Sequence, residues 1–362
     1  MDQNIKIPFV DLYPQYEELQ SEIDLAIRDI ITRSDYITGP TVEKFEQAIM
    51  NYTGAEACAS IGSGTNALVC ALKALDIGPG HQVMTVGHTF VSTTEAIVNV
   101  GATPVFVDID QFYHLDVNKM ELTDTLKAIL FVDLYGQTPD ISRLKLISEK
   151  YNLKLIEDAA HSTGAEYNNK RVGGLVDLTC FSFNPIKNLG AIGDAGAVTG
   201  QQNLIDKVKI LRDHGRIDHD NYVEIGYNAR MDCIQASVLL EKIKFYLDWN
   251  NKKRIIASTY NNELKCVTPK IKKNCLHSFY AYVIQVPNRN LFRQHMMEKG
   301  IQTKIHYPTS INTHRPYYPF QQCVKSEWVC EQIVSLPCYY SMTQSEQSYV
   351  IQHINNWVRK YS

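Results

Sequence analysis

The chain has 362 residues, enough to bury a large core and, at the usual domain size, to divide into about two domains. A hydrophobic content of 44% and a charged content of 21% exclude a disordered chain, and a formal net charge of -3 without any long Lys/Arg run gives a nucleic-acid partner nothing to hold. The opening "MDQNIKIPFVDLYPQYEEL" lacks a basic end followed by an apolar core, and no apolar run reaches the roughly twenty residues that cross a bilayer, so no membrane association and a cytoplasmic location are expected.

From Gln15 to Thr32, Tyr16, Leu19, Ile23, Ile27, Ile30 and Ile31 recur at spacings of an amphipathic helix. A second helix is expected from about Thr41 to Tyr52, between Gly39-Pro40 and Gly54. Short apolar runs then follow, "QVMTV", "TPVFVDI", "KAILFVDL", "LKLIED" and "LTCFSF", separated by longer helical stretches. Buried parallel strands read as continuous runs of this kind, so the alternation predicts an α/β fold, a mostly parallel central sheet with helices on both faces. After Asn228 the pattern changes to one long helix from Met231, a strand in "FYAYVIQV", a helix from Asn290 to Lys299, and helices near Trp328 and Ile351. This predicts a large domain over 1–248, including an N-terminal helical arm, and a smaller α+β domain over 249–362.

Nine cysteines without a C-x-x-C pair read as buried thiols, and no metal site is expected. "ASIGSGTNALVCALKAL" contains Gly62-x-Gly64-x-x-Ala67, formally a dinucleotide fingerprint. That fingerprint also needs an acid about twenty residues on, where this chain has "MTVGHTF". What survives is a helix N-terminus near Thr65 whose backbone N–H groups suit a single phosphate, or a tight turn with no ligand.

"LKLIEDAAHSTGA" ends a strand with Glu157 and Asp158, at the carboxyl edge where open α/β sheets bind ligands. A metal there would want more ligands than His161, and the plainer alternative is a helix cap at Asp158 beside a solvated Glu157. Lys187, in "CFSFNPIKNLGAIGDAGAVTG", follows the next strand with Phe181, Phe183, Pro185 and Ile186 around it and no adjacent acid. Most lysines are solvated surface charges, but apolar surroundings lower an amine pKa toward what Schiff-base chemistry needs. An anion-binding turn at Gly64 and Thr65, an acid at Asp158 and a lysine at Lys187 on one sheet edge together describe a cradle for pyridoxal 5'-phosphate.

On "GSGTNALVCALKALDIGPG", "HTFVSTTEAIVNVGATPVFVDID", "DLYGQTPD", "LIEDAAHSTGAEY", "FSFNPIKNLGAIGDAGAV", "LRDHGR", "GYNARMDCIQASVL" and "GIQTKIHYPTSIN", the chain resembles the DegT/DnrJ/EryC1/StrS family of pyridoxal-phosphate-dependent nucleotide-sugar aminotransferases, of fold-type I. The likeness runs from about Ile7 to Met342. It implies that Lys187 binds the cofactor and moves protons, and that Asp158 pairs with the pyridinium nitrogen. It also implies that Phe90 stacks on the ring, that His161 approaches the ring's 3-hydroxyl oxygen, and that Gly64, Thr65 and Ser182 contact the phosphate. By the same resemblance Asn228 reaches the phosphate of the other subunit, which makes the protein a homodimer with shared active sites.

The resemblance further implies L-glutamate as amino donor, pyridoxamine 5'-phosphate as the cofactor's second form, and a nucleotide-linked ketosugar as acceptor. The reading favoured is a dTDP-linked 3-keto-6-deoxyhexose, giving a dTDP-3-amino-3,6-dideoxyhexose for a surface glycan such as O-antigen, with UDP-linked, GDP-linked or 4-keto sugars as alternatives. Tyr307 and His214 are the expected sugar-nucleotide contacts; Arg230 could equally hold an ion pair and His306 be a satisfied loop histidine. Ala195 and Asn184 depart from the family pattern, Asn184 at the end of the site that would receive the sugar. A dehydratase on the same scaffold would carry histidine in place of Lys187. A non-catalytic regulator would be expected to have lost the lysine or the acid, and a nicotinamide oxidoreductase rests on Gly62, Gly64 and Ala67 alone.

Overall fold

The computed structural model describes residues 6–317 and 321–361, so the first five residues of the acid- and amide-rich opening lie outside the described residues. The N-terminal arm is two helices rather than one, α1 (Tyr13–Glu18) and α2 (Gln20–Arg33). They break at Leu19, whose φ of -119° leaves the helical region while its N–H bonds back to the Tyr16 carbonyl. Most of the expected apolar stripe survives the break, with Leu19 and Ile23 buried against Val238 and Trp249, but Ile31, counted in it, is exposed because it lies beside Ile30 and turns away from that face. Helix α3 (Pro40–Thr53) lies where Gly39-Pro40 and Gly54 predict it, with Pro40 in the first turn and Gly54 left-handed at the end.

The sheet alternates with helices in part: β1 (Ala57–Ile61), α4 (Gly64–Ala74), β2 (Gln82–Val86), α5 (Val91–Asn99), β3 (Thr103–Val107), β4 (Leu126–Val132), α6 (Ile141–Tyr151) and β5 (Lys154–Asp158), but the helical stretches expected between β3 and β4 and after β5 are connections without an α-helix. Two short strands, β6 (Glu166–Tyr167) and β7 (Lys170–Arg171), precede β8 (Leu178–Ser182), β9 (Gly196–Gly200) and α7 (Gln202–Leu211). Seven of these strands form one sheet in the order β1-β9-β8-β5-β4-β2-β3. Only β9 runs against its neighbours. Its sequence "GAVTG" is bounded by glycines and offers little strand propensity, so it reads as the tail of a loop.

The antiparallel strand brings the site together. Gly196 pairs with Ile61 on one side and Ser182 on the other, so the ends of β1 and β8 converge on one point. A Cβ at Gly196 would stand 2.7 Å from the Phe181 carbonyl oxygen and 2.8 Å from Ser63 backbone atoms, and one at Gly190 would fall onto the Pro185 carbonyl. Gly190 and Gly196, after Lys187, therefore make room for neighbouring backbone.

The long helix expected after Asn228 is divided into α8 (Cys233–Lys242) and α9 (Tyr246–Glu263), and α9 runs unbroken across residue 248. Strand β10 (Cys275–Leu276) joins β6 and β7 in a small sheet, and β11 (Tyr282–Gln285) pairs antiparallel with β12 (Ile333–Leu336). Helices α10 (Arg289–Glu298), α11 (Val324–Gln332) and α12 (Gln344–Tyr361) complete the chain. Phe292, Tyr260, Tyr282, Ile354 and Trp357 form a separate buried cluster around β11 and β12. Among the described residues no helix is long and apolar enough to cross a membrane, and no group of His, Cys, Asp or Glu could hold a metal.

Candidate active site

Helix α4 starts directly after β1, and Ser63 caps it by accepting the Asn66 N–H at 3.2 Å. The first N–H groups of the helix are thereby left at the carboxyl edge of the sheet, where a helix terminus favours an anion. Ser182, at the end of β8, presses on this turn: a Cβ at Gly64 would stand 2.7 Å from the Ser182 Cβ. The hydroxyls of Thr65 and Ser92 bond each other at 2.8 Å on the same wall. A backbone turn that admits no side chain, ringed by three hydroxyls at a helix N-terminus, is a donor set suited to a phosphate.

Asp158 ends β5 and is 5% exposed. Thr93 Oγ1 donates to its Oδ2 at 2.8 Å, and the Ala160 N–H donates to Oδ1 at 3.2 Å. Burial, the largest influence, raises its pKa, while those donors and the Lys187 charge pull it down. A protonated ring nitrogen is the kind of partner such a carboxylate lacks. No helix follows Asp158, so the capping alternative is not met. Glu157 is not solvated either: it is fully buried, its Oε2 accepting from Thr179 Oγ1 at 2.8 Å. The physical reason is its register opposite Thr179 on β8, which places it inside the sheet and away from the edge.

Lys187 sits in the loop between β8 and β9 with its Nζ 4.5 Å from the centre of the Tyr280 ring. Burial brings its pKa down to about 8, opposed by the Asp158 charge. The apolar flank read from the sequence thus has the effect expected of it, and Tyr280, far away in the chain, adds an aromatic face.

A cavity of about 530 Å³ gathers Gly64, Thr65, Phe90, Asp158, His161, Ser182, Lys187 and Tyr307. Phe90 is 52% exposed at its mouth, its ring 5.6 Å from that of Tyr307. His161 stacks on Tyr280 at 3.8 Å, accepts the Tyr135 N–H at Nδ1, and lies with Nε2 3.3 Å from the Tyr307 hydroxyl. Burial, reinforced by Lys187, pushes its pKa well down, so the ring is neutral and its proton sits on Nε2. Asn184 Nδ2 donates to Asp194 Oδ1 at 2.9 Å, and both residues line the cavity.

The remaining candidates lie elsewhere. His214 and Asn228 are exposed and line none of the cavities beside Lys187. They share one turn, in which Asp213 bridges to Asn228 and the His214 N–H bonds the Tyr227 carbonyl. Arg230 is held by Asp213 Oδ1 and Asn228 Oδ1, each at 2.7 Å, as its ion-pair alternative would have it. His306 is satisfied by Ser335 Oγ at 2.8 Å and lines the cavity as well. Thr93 and Tyr280 were not singled out in the sequence: Thr93 lies in the stretch that holds Phe90 but looks like an ordinary helix threonine, and Tyr280 arrives from a distant element.

The structure is described without ligands, but its donor set fits pyridoxal phosphate: an anion turn, a buried acid and a buried amine open on one cavity. Comparison with known proteins points the same way. The model of the DegT/DnrJ/EryC1/StrS aminotransferase family matches residues 17–355. The chain is 37% identical to the dTDP-3-amino-3,6-dideoxy-alpha-D-galactopyranose transaminase of Aneurinibacillus thermoaerophilus, over 97% of this chain and 99% of that one. It is 36% identical to the UDP-2-acetamido-2-deoxy-3-oxo-D-glucuronate aminotransferase of Pseudomonas aeruginosa, over 84% and 87%. It matches the crystal structure of NtdA from Bacillus subtilis, with bound cofactor PMP, at a TM-score of 0.91 and 28% identity, covering 98% of this chain and 85% of that one.

Proposed function

The chain belongs to the DegT/DnrJ/EryC1/StrS aminotransferase family, a pyridoxal-phosphate-dependent aminotransferase of nucleotide sugars, and on that premise we propose that it moves an amino group from L-glutamate to a dTDP-linked 3-keto-6-deoxyhexose. The product would be a dTDP-3-amino-3,6-dideoxyhexose destined for a surface glycan. The observation that carries the catalytic part is the meeting of Lys187 and Asp158 on one cavity, both buried, each shifting the other's pKa.

When bound, pyridoxal phosphate supplies an electron sink for charge developing at the donor's α-carbon. Gly64, Thr65 and Ser182 would hold its phosphate, and Asp158 would keep a proton on the ring nitrogen. Phe90 would cover the ring, and the Nε2–H of His161 would be the donor available to the ring's 3-hydroxyl oxygen. Lys187 would anchor the cofactor through its amine and, when that amine is free, would take the proton from the donor's α-carbon as general base. In the second stage it returns a proton to the sugar carbon that receives nitrogen. Tyr307 stands beside Phe90, where the sugar would enter.

His214 and Asn228, exposed on one turn and remote from their own cavity, are proposed to serve the site of a second copy in a homodimer. The dTDP reading is supported by near end-to-end similarity to the Aneurinibacillus enzyme. The similarity to the Pseudomonas enzyme favours a UDP-linked sugar as second reading. Purified protein assayed with glutamate against dTDP-, UDP- and GDP-linked 3-keto and 4-keto sugars, scored by product position, decides between them. Turnover confined to a UDP-linked or 4-keto sugar would refute the first reading.

A further inference from the structure

Lys187 borders two cavities. The first is the one gathered around Asp158; the second, of about 470 Å³, lies on the other side of a partition made by Ile186, Lys187, Tyr280 and His306. Its far walls come from the segment Phe9–Leu12, from α9 and from residues 336–340 after β12. None of the residues assigned above to the cofactor apart from Lys187 faces it.

The chemistry of this second chamber is uneven. Lys253, on α9, places its Nζ 2.7 Å from Asn188 Oδ1, and among the described residues no carboxylate lies within ion-pair distance of it. Burial takes its pKa down to about 8. Lys304 lines the same space, and the acid that lines it, Asp11, accepts the Tyr13 N–H. Asn250 lines it too, its buried Oδ1 an acceptor without a hydrogen-bond partner, which suits a ligand's ammonium group and not its carboxylate. Lys253 is half-buried, and a half-buried cation without a counter-charge is retained at a cost that a ligand carboxylate would relieve. The chamber is therefore built for a small molecule with a carboxylate.

We infer that this chamber receives the amino donor, and that Lys253 pairs with the donor's side-chain carboxylate and so selects an acidic amino acid; the inference rests on the aminotransferase reading above. An aminotransferase of this kind must accept two unlike molecules in alternation at one amine. Two cavities meeting at Lys187 solve that problem in space: the dicarboxylate approaches from the side of the N-terminal arm, the ketosugar from the side of Phe90 and Tyr307. Asn188 holds Lys253 in place, its own Nδ2 donating to the Ser278 carbonyl at 2.9 Å.

The test uses holoenzyme carrying Lys253→Met or Asn188→Asp. The second variant keeps the lysine and sets a carboxylate beside it, so it neutralises the cation without removing it. Glutarate affinity is read by calorimetry, and the two half-reactions are followed separately by the cofactor's absorbance. Losing one charge-assisted bond predicts a fall of ~30-fold in glutarate affinity and in kcat/KM for glutamate in both variants, with the ketosugar half-reaction within about threefold of wild type. Unchanged glutarate affinity in both variants, or a loss confined to the ketosugar half-reaction, would overturn the inference. A wild-type holoenzyme that ignores glutamate would sink the aminotransferase reading, while the glutarate affinities would still decide the chamber.

Discussion

The Thr93 hydroxyl donates to Asp158 Oδ2 at 2.8 Å, so the helix after β2 holds the acid at the end of β5 in one orientation. Thr93 is itself fixed by the Thr89 hydroxyl at 2.9 Å. Asp158 is already pushed toward its neutral form by burial, and removing a donor pushes it further. Thr93→Val should therefore leave the cofactor bound but slow the glutamate half-reaction by about tenfold, the worth of one hydrogen bond to a charged group. Stopped-flow absorbance measures it, and an unchanged rate would mean that Asp158 is oriented by Ala160 alone.

Lys187 should reveal its surroundings in the pH dependence of cofactor capture by the apoprotein. Capture requires the neutral amine, and burial has brought this amine down to about 8 while the Asp158 charge pulls it up. The rate should rise with pH and level off above about 8, well before the ordinary lysine value of 10.5. Asp158→Asn removes the opposing charge, so the midpoint should move lower. Borohydride should then fix the cofactor to the peptide holding Lys187, and label on another lysine would refute the assignment.

How much of this was legible in the sequence depends on where each partner comes from. Lys187, Asp158 and the Gly64 turn each sit at the end of a strand or the start of a helix, so their edge of the sheet follows from hydrophobic pattern alone. Phe90 and His161 needed family resemblance, because a lone aromatic or histidine after a strand has no spacing that betrays it. Tyr280 and Lys253 stayed hidden since each is brought in from a distant element, and Thr93 since a threonine in a helix's first turn looks structural until Asp158 is seen beside it. Strand β9 was hidden for a different reason: what makes it a strand is close backbone approach at Gly196, and glycine carries no strand signal.

That close approach gives a third prediction. Gly64 has no room for a methyl group, since a Cβ would stand 2.7 Å from the Ser182 Cβ and 3.1 Å from its Oγ. Ser182 lies in a central strand and cannot retreat without breaking its pairing to Gly196. Gly64→Ala should therefore open the phosphate turn, weakening cofactor affinity at least about tenfold while the far-UV circular dichroism is preserved. Fluorescence titration of the apoprotein with pyridoxal phosphate reads the effect, and wild-type affinity would show that the phosphate binds elsewhere.

The proposed sharing of sites between two copies can be tested by mixing inactive chains. Lys187→Ala and Asn228→Asp should each be inactive or nearly so, the second because a carboxylate would repel a phosphate. In a mixed dimer, one site combines an intact Lys187 from the second variant with an intact Asn228 from the first. Co-expression should thus recover a substantial fraction of wild-type activity. No recovery, with mixed dimers demonstrated by tag pull-down, would place Asn228 outside the shared site.

Asp133, the first residue after β4, and Glu157, next to Asp158 in the adjacent β5, are both fully buried. Asp133 Oδ2 accepts from Ser162 Oγ at 2.6 Å, and its Oδ1 and Glu157 Oε1 find no other partner. Burial and the facing Glu157 charge drive the Asp133 pKa well up, so Asp133 keeps its proton in the folded protein. An acid whose folded pKa is raised contributes stability that is complete below the ordinary carboxyl value and is lost as pH climbs toward the folded value. Asparagine copies the shape of the protonated acid and cannot ionise. Asp133→Asn should consequently match the wild-type melting temperature only below the ordinary carboxyl value of 3.8, and should melt increasingly above wild type as pH climbs from about 5 to 8. The Glu157 share, with its pKa raised to about 7, remains in both proteins. Parallel losses across that range would mean that Asp133 is ionised in the fold, and that the acid next to Asp158 feels a second negative charge.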